Sequence, residues 1–326
     1  MPIAECYYVS SMHGRNPTIS PLGRAHWLGY LSLCLIWGST WLAIRVVVRG
    51  VPPFRAAAIR FFAAAALLLV TVLFRKNKWP RGDRQWNAIL VLGFTMFAVP
   101  YALVFWAEQY VTSSMTAVLF SANPLAVALL TPFMMQRKVP RQAVFAMLMA
   151  FGGLLYLCYS GLRTDGRAVL AGLAILLSMS MSAWSAVFAK KRLYDVDTVA
   201  ATGLQMLIGS CGLLWATWAL EAHQPAIWSR QIIGALIFLV LFGSAAAFAV
   251  YYWLLKSMQP YQLSTINLVV PIIAVLVGAL VGHELVPVKM IAAMVVVLAS
   301  VGVVLWAESE GHYEGEEFLS IRGRQE

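Results

Sequence analysis

The sequence predicts an all-α membrane protein in which ten transmembrane helices form two inverted five-helix repeats. Three observations predict it. Of the 326 residues, 61% are hydrophobic and 12% charged, which is more apolar side chain than one water-facing globule of that size can hide. Stretches of 19 to 24 residues almost free of charge recur along the chain, and a helix needs about 20 residues to cross roughly 30 Å of hydrocarbon. Finally, Trp37 and Trp184, Pro124 and Pro271, and Pro140 and Pro287 are all 147 residues apart, so the chain repeats itself.

In chain order, residues 1–26 hold Pro2, Pro17 and Pro21 among polar residues, and no A-x-A-like cleavage site follows the first apolar run. This segment is expected to be a retained, disordered cytoplasmic tail. Apolar spans follow at 27–48, 54–74, 85–107, 114–135 and 141–160, which place a first repeat in 27–162. A second set at 168–189, 198–220, 231–255, 261–282 and 287–306 places a second repeat in 168–306, before an acidic tail at 307–326. Within the repeats, GFTMFAVPY (Gly93 to Tyr101) echoes FGSAAAFAVYY (Phe242 to Tyr252), shifted by three or four residues. Five spans is an odd number, so the second half enters the bilayer from the opposite side, as in many secondary transporters with a site between halves.

Net charge is +10, but the loops hold nearly all of it, so topology explains it better than a nucleic-acid partner. One side of the membrane collects 16 Lys and Arg, among them Arg75, Lys76, Lys78, Arg137, Lys138 and Lys190 to Arg192, and the other side six. The positive-inside rule then places both termini in the cytoplasm. Cys34, Cys158 and Cys211 lie in apolar spans and Cys6 in the tail, a pattern that indicates neither a disulfide framework nor a zinc site.

LIWGSTWLAIR (Leu35 to Arg45), AAAIRFF (Ala56 to Phe62), the stretch from Glu108 to Pro124 ending in SANP, FGSAAAFAVYYWLL (Phe242 to Leu255) and INLVVPIIAVLVGALVGHEL (Ile266 to Leu285) resemble the EamA-like ten-helix proteins of the drug/metabolite transporter superfamily. The resemblance spans roughly residues 27 to 306. It implies an inner-membrane exporter or exchanger of amino acids, nucleobases or related metabolites, with spans one to four and six to nine forming a basket. One departure is that Gln136 and Arg137 stand where the family often has Gly-Glu after the fourth span, whereas His283 and Glu284 follow the ninth.

Candidate substrate-binding residues are those that lipid tolerates poorly. Trp37, Trp41 and Arg45 are four apart on one helix face, either as an aromatic wall with a cation at its mouth or, for Trp41 and Arg45, as interfacial anchors. Arg60 lies inside the second span, where a lipid-facing charge costs on the order of 3 kcal/mol or more. It is expected to face protein or a water-filled cavity, or else to pair with helix-end carbonyls or Glu108. Asn123 precedes Pro124, and Asn267 precedes Pro271 by four. Prolines there free backbone carbonyls in a place without water, so these kinks with Asn123, Asn267, Ser121 and Thr265 are candidates for a polar-substrate site, unless the amides only bond neighbouring helices. Tyr101, Tyr252 and Trp184 either line the same cavity or serve packing. The alanine runs 63–66 and 245–247 read as close-packing faces.

The five histidines fall in tails, loops or span ends, no span holds an Asp, and Glu108 and Glu284 are the carboxylates that touch spans. A membrane enzyme needs converging acids, bases or metal ligands, and a nucleotide-driven pump needs a GxxxxGK[ST] loop. The sequence offers neither, so no catalytic residue, cofactor or metal is expected, and proton relay through a mid-span acid is not favoured. The partners expected are the lipid bilayer and a small-molecule substrate, with a monomer the expected state. The leading reading is a secondary transporter, exporter or exchanger, of a small polar metabolite by alternating access. A membrane-embedded enzyme or lipid-handling protein without transport activity is the alternative, and a scaffold a third.

Overall fold

In the computed structural model, residues 23–74, 79–158, 166–193, 195–282 and 295–306 are described, and among them the regular structure is helical. The N-terminal tail up to residue 22, the stretch 75–78 with Arg75, Lys76 and Lys78, the stretch 283–294 with His283, Glu284 and Pro287, and the acidic tail from 307 lie outside the described residues. The elements are α1 (Arg24–Val48), α2 (Pro53–Leu73), α3 (Asp83–Ala107), α4 (Ser113–Phe120), α5 (Asn123–Met135), α6 (Arg141–Cys158), α7 (Gly166–Arg192), α8 (Thr198–Glu221), α9 (Arg230–Ser257), α10 (Pro260–Ser264), α11 (Ile266–Gly282) and α12 (Val295–Trp306). Among the described residues, seven helices are long and apolar enough to cross a bilayer, counting Met115–Met135 through the α4–α5 break as one. Arg141–Cys158 is also helical, and Pro260–Ala274 and Val295–Trp306 are shorter apolar helices on either side of 283–294.

Local chemistry sets the helix ends. Thr112 accepts from the Met115 amide (3.2 Å), Asp197 from those of Val199 and Ala200 (3.0 Å each) and Ser229 from that of Ile232 (3.2 Å), each side chain taking up orphan donors of a first turn. Pro53 opens α2, whose next amides, Phe54 and Arg55, both donate to the buried Glu221 carboxylate at 2.8 Å. Glu221 thus places a negative charge at the positive end of the α2 dipole. This corrects one expectation: α8 runs one residue past the predicted span, and Glu221 is a further carboxylate at a span end.

The two halves interleave. α2 packs most extensively on α8, α1 on α11 and α9, and α3 and α5 on α7. Small residues permit the close approach. A Cβ on Gly209 of α8 would lie 2.6 Å from the Phe97 Cβ and 2.8 Å from the Gly93 carbonyl oxygen of α3, and one on Gly38 of α1 would lie 2.5 Å from the Ile273 Cγ2 of α11. Ala64 and Ala65 are fully buried. Large apolar side chains turn outward instead, for example Leu35, Phe62, Leu129, Phe133 and Trp218, an arrangement that suits lipid as solvent.

Two interruptions recur. α3 and α9 each contain a six-residue π turn, Gly93–Ala98 and Leu241–Ala246, whose starts are 148 residues apart. Breaks also separate α4 from α5 at Ser121–Ala122 and α10 from α11 at Thr265. Pro124 therefore stands in the first turn of α5, just after a break, while Pro271 is inside α11.

Candidate functional site

A cavity of ≈ 80 Å³ opens between helices of both halves, room for roughly five to eight water-sized groups. Trp37, Thr40, Trp41 and Ile44 of α1 line it, and their spacing of three and four puts them on one stripe of the helix. Met96, Pro100, Tyr101 and Val104 of α3 form a second wall beginning in the π turn. Phe120 and Asn123 flank the break between α4 and α5, and across from the first half stand Ser178 and Ser182 of α7, Phe248 and Tyr251 of α9, and Asn267 and Val270 of α11.

Arg60 of α2 lines the same cavity and is 1% exposed. Its Nε donates to the Ser244 hydroxyl (2.7 Å) and its Nη2 to the Gly243 carbonyl (3.0 Å), both in the π turn of α9. The guanidinium carbon lies 5.0 Å from the Phe61 ring centre, 5.1 Å from that of Tyr101 and 5.9 Å from that of Phe105. Nη1 has no hydrogen-bond partner. Of the expected surroundings for Arg60, the structure gives the cavity and a backbone carbonyl and not Glu108.

Asn267 Nδ2 donates to Asn123 Oδ1, and Asn123 Nδ2 to the Met179 carbonyl, both at 3.2 Å. The two amides thus tie α5, α7 and α11 together at the cavity wall. Pro124 and Pro271 offer no N–H to the carbonyls four residues earlier, which belong to Phe120 and Asn267, two cavity-lining residues. The indole Nε1 atoms of Trp37 and Trp41 are also buried without partners, while their rings pack on Phe248 and Tyr251 (5.4 Å each) and on Phe120 (5.5 Å).

The structure thus brings Trp37, Trp41, Arg60, Tyr101, Asn123 and Asn267 together and places the other sequence candidates elsewhere. Ser121 donates to the Val118 carbonyl. Thr265 donates to the Gln262 carbonyl (2.6 Å) and is 2.7 Å from the Tyr30 hydroxyl. Trp184 stacks on Phe188, and Tyr252 donates to Gln205 Oε1 (2.6 Å) beside Lys190 and Lys256. Sequence reasoning passed over Thr40, Ser178, Ser182 and Phe248. A signal existed for Phe248, which stands 147 residues after Tyr101, the spacing of the repeated prolines.

Beyond Ile44, Arg45 donates through Nη1 to the carbonyls of Val111 and, at 3.3 Å, Glu108. The Glu108 side chain, just past the end of α3, is 1% exposed and both carboxylate oxygens lack partners. Burial pushes its pKa up to about 8 against a smaller pull from Thr116 and the Arg45 charge. The Thr116 hydroxyl donates to the Thr112 carbonyl at 3.1 Å, which leaves both carboxylate oxygens unpartnered. Among the described residues no group of three or more His, Cys, Asp or Glu side chains gathers to hold a metal.

Comparison with known proteins gives these features a context. The family model of the EamA-like transporter family matches the chain twice, at residues 26–159 and 169–306. An uncharacterized inner membrane transporter, YedA of Escherichia coli strain K12, is 31% identical over 276 residues, covering 84% of this chain and 89% of that protein. The uncharacterized transporter YoaV of Bacillus subtilis strain 168 is 25% identical over 265 residues, 81% and 91% of the two chains, and PagO of Salmonella typhimurium is 26% identical over 249 residues, 76% and 81%. A solved crystal structure superposes with a TM-score of 0.72 at 18% identity over 86% of this chain and 96% of its own, a likeness of fold alone.

Proposed function

Because the chain belongs to the EamA-like transporter family, we propose that it is a secondary transporter, an exporter or exchanger of a small polar metabolite such as an amino acid or nucleobase. The single observation that supports this most is the cavity walled by both halves, where a guanidinium and two amides stand among aromatic rings. A shared site between two packed halves suits alternating access, in which one half rocks on the other around a fixed site. The breaks beside Asn123 and Thr265 and the π turns of α3 and α9 are the places where such rocking can be absorbed, since their backbone already departs from a regular ladder.

In this reading ten helices form two inverted five-helix repeats in the inner membrane, both termini are cytoplasmic as the 16 to six split of basic residues implies, and a monomer suffices. A reporter fused after residue 306 is then active in the cytoplasm and silent in the periplasm. The test of transport is uptake of a radiolabelled panel of amino acids and nucleobases by proteoliposomes of the purified protein. Saturable uptake of at least one compound, absent from protein-free liposomes, is the expected result. Uptake of none of a broad panel, from either face, would overturn the reading.

A further inference from the structure

We propose that the cavity selects a small organic monoanion, a carboxylate with an apolar body, held by Arg60. The inference rests on the transporter reading and sharpens it. Arg60 is buried, and no carboxylate is among the residues that line its cavity. A buried cation without a counter-ion is costly, and here the surroundings supply only neutral groups: one hydroxyl, one carbonyl and three ring faces. The remaining nitrogen, Nη1, has no partner at all. An anionic ligand is the group that completes this arrangement, because a charge-assisted hydrogen bond to guanidinium is stronger than any neutral one.

The rest of the wall narrows the ligand further. Among the lining residues, the buried side-chain nitrogen and oxygen atoms without a hydrogen-bond partner are all donors: Arg60 Nη1, Trp37 Nε1 and Trp41 Nε1. The two lining amides already spend one contact on each other. Such a wall suits an acceptor-rich head. A cation would meet a positive charge with no acid to offset it, and a zwitterion would place its ammonium in the same field. A phosphate ester carries more charge and more oxygens than one free guanidinium nitrogen and two indoles can satisfy. Ile44, Val104, Phe120 and Val270 give the lining apolar surface that suits a short branched aliphatic body. The ≈ 80 Å³ volume limits that body to a few carbons beyond the carboxylate.

Isothermal titration calorimetry on the purified protein in detergent tests this with four compounds of one carbon skeleton: isovalerate, its neutral amide isovaleramide, valine and isoamylamine. Isovalerate is expected to bind at least about tenfold tighter than the amide, with valine weaker than isovalerate and the amine without detectable binding. In Arg60→Gln the preference of acid over amide is expected to fall to about one, because only the charge term is removed, whereas Arg60→Lys keeps an anion preference. A merely structural Arg60 would weaken acid and amide alike. Equal binding of acid and amide by the wild type, tighter binding of valine or the amine, no isovalerate binding, or an unchanged preference in Arg60→Gln overturns the proposal. If Arg60→Gln does not fold, the wild-type ranking and Arg60→Lys decide it. Offering the same compounds to proteoliposomes separates the two claims. Uptake of neutral or cationic compounds without carboxylate binding ends the anion site and keeps the transporter, while carboxylate binding with uptake of nothing does the reverse.

Discussion

The two halves of the chain meet the cavity in different ways. Four pairs of lining residues stand 147 positions apart, Tyr101 with Phe248, Val104 with Tyr251, Phe120 with Asn267 and Asn123 with Val270, so α3 and α9, and α4–α5 and α11, present equivalent stripes. No such pairing holds for α1 and α2. Trp37, Trp41 and Arg60 line the cavity, while the positions 147 later, Trp184, Phe188 and Leu207, do not. Duplicated positions build the walls, then, and unduplicated ones in the first half supply the donors. Under the proposed function, selectivity rests on these first-half residues, on a frame to which both halves contribute.

The largest expected effect is at the most asymmetric pair. Arg60→Ala removes a charged donor from the wall and two bonds to the α9 π turn, so transport should fall at least about tenfold. Leu207→Ala, at the matching position, should leave the transport rate close to wild type once expression is corrected for. Equal losses in initial-rate uptake would erase the contrast.

The crossings between halves come next. Gly209→Ala pushes a Cβ against the Phe97 Cβ and the Gly93 carbonyl, and overpacking of this kind costs about 1–3 kcal/mol. Gly234→Ala, where a Cβ meets nothing within 4 Å, should be neutral or slightly stabilising. Melting temperatures in detergent decide between them.

The prolines sharpen the symmetric part. Pro124→Ala and Pro271→Ala give an N–H back to the carbonyls of Phe120 and Asn267 and should stiffen both helices, raising the melting temperature while lowering transport. Because Pro124 already follows a break and Pro271 is inside a helix, the second change should be the larger. Wild-type transport by both variants would make the bends packing features.

The smallest effect concerns Glu108, outside the cavity lining, whose counterpart 147 positions later is Leu255. Its pKa is raised by burial from 4.5 to about 8, so the folded protein holds a proton that the unfolded chain releases. Stability from this group is full below about pH 4.5, falls as pH rises through about 8 and is level above that. Glu108→Gln should remove this portion of the slope in a melting-temperature series. A slope unchanged in the variant would assign it to other groups.

Most of the frame was legible because lipid makes each spanning helix a long apolar run, and because a charge or amide within such a run must find protein. That logic led to Arg60, Asn123, Asn267, Trp37 and Tyr101. Ser121 and Thr265 lie two residues before Asn123 and Asn267, but two residues turn a helix by about 200°, and a break intervenes in both cases. Trp184 was included as the match of Trp37, and the repeat has not kept that side chain in the cavity. Tyr252 is a neighbour of lining Tyr251, one step around the helix. Ser178 and Ser182 of α7 carried no signal, since a serine satisfies itself on its own helix as readily as it faces a cavity. The echo shifted by three or four residues between the third and eighth spans was a weaker guide than the unshifted 147, which the lining pairs follow.

Accessibility of Ser182 tests the central claim most directly, because that claim is one cavity reached in turn from each side. In a variant with all four native cysteines replaced and Ser182→Cys introduced, a membrane-impermeant thiol reagent should label the cavity cysteine when added to either face of sealed, oriented vesicles, and a bound isovalerate should slow both reactions. Labelling from one face only, or from neither, would contradict the account.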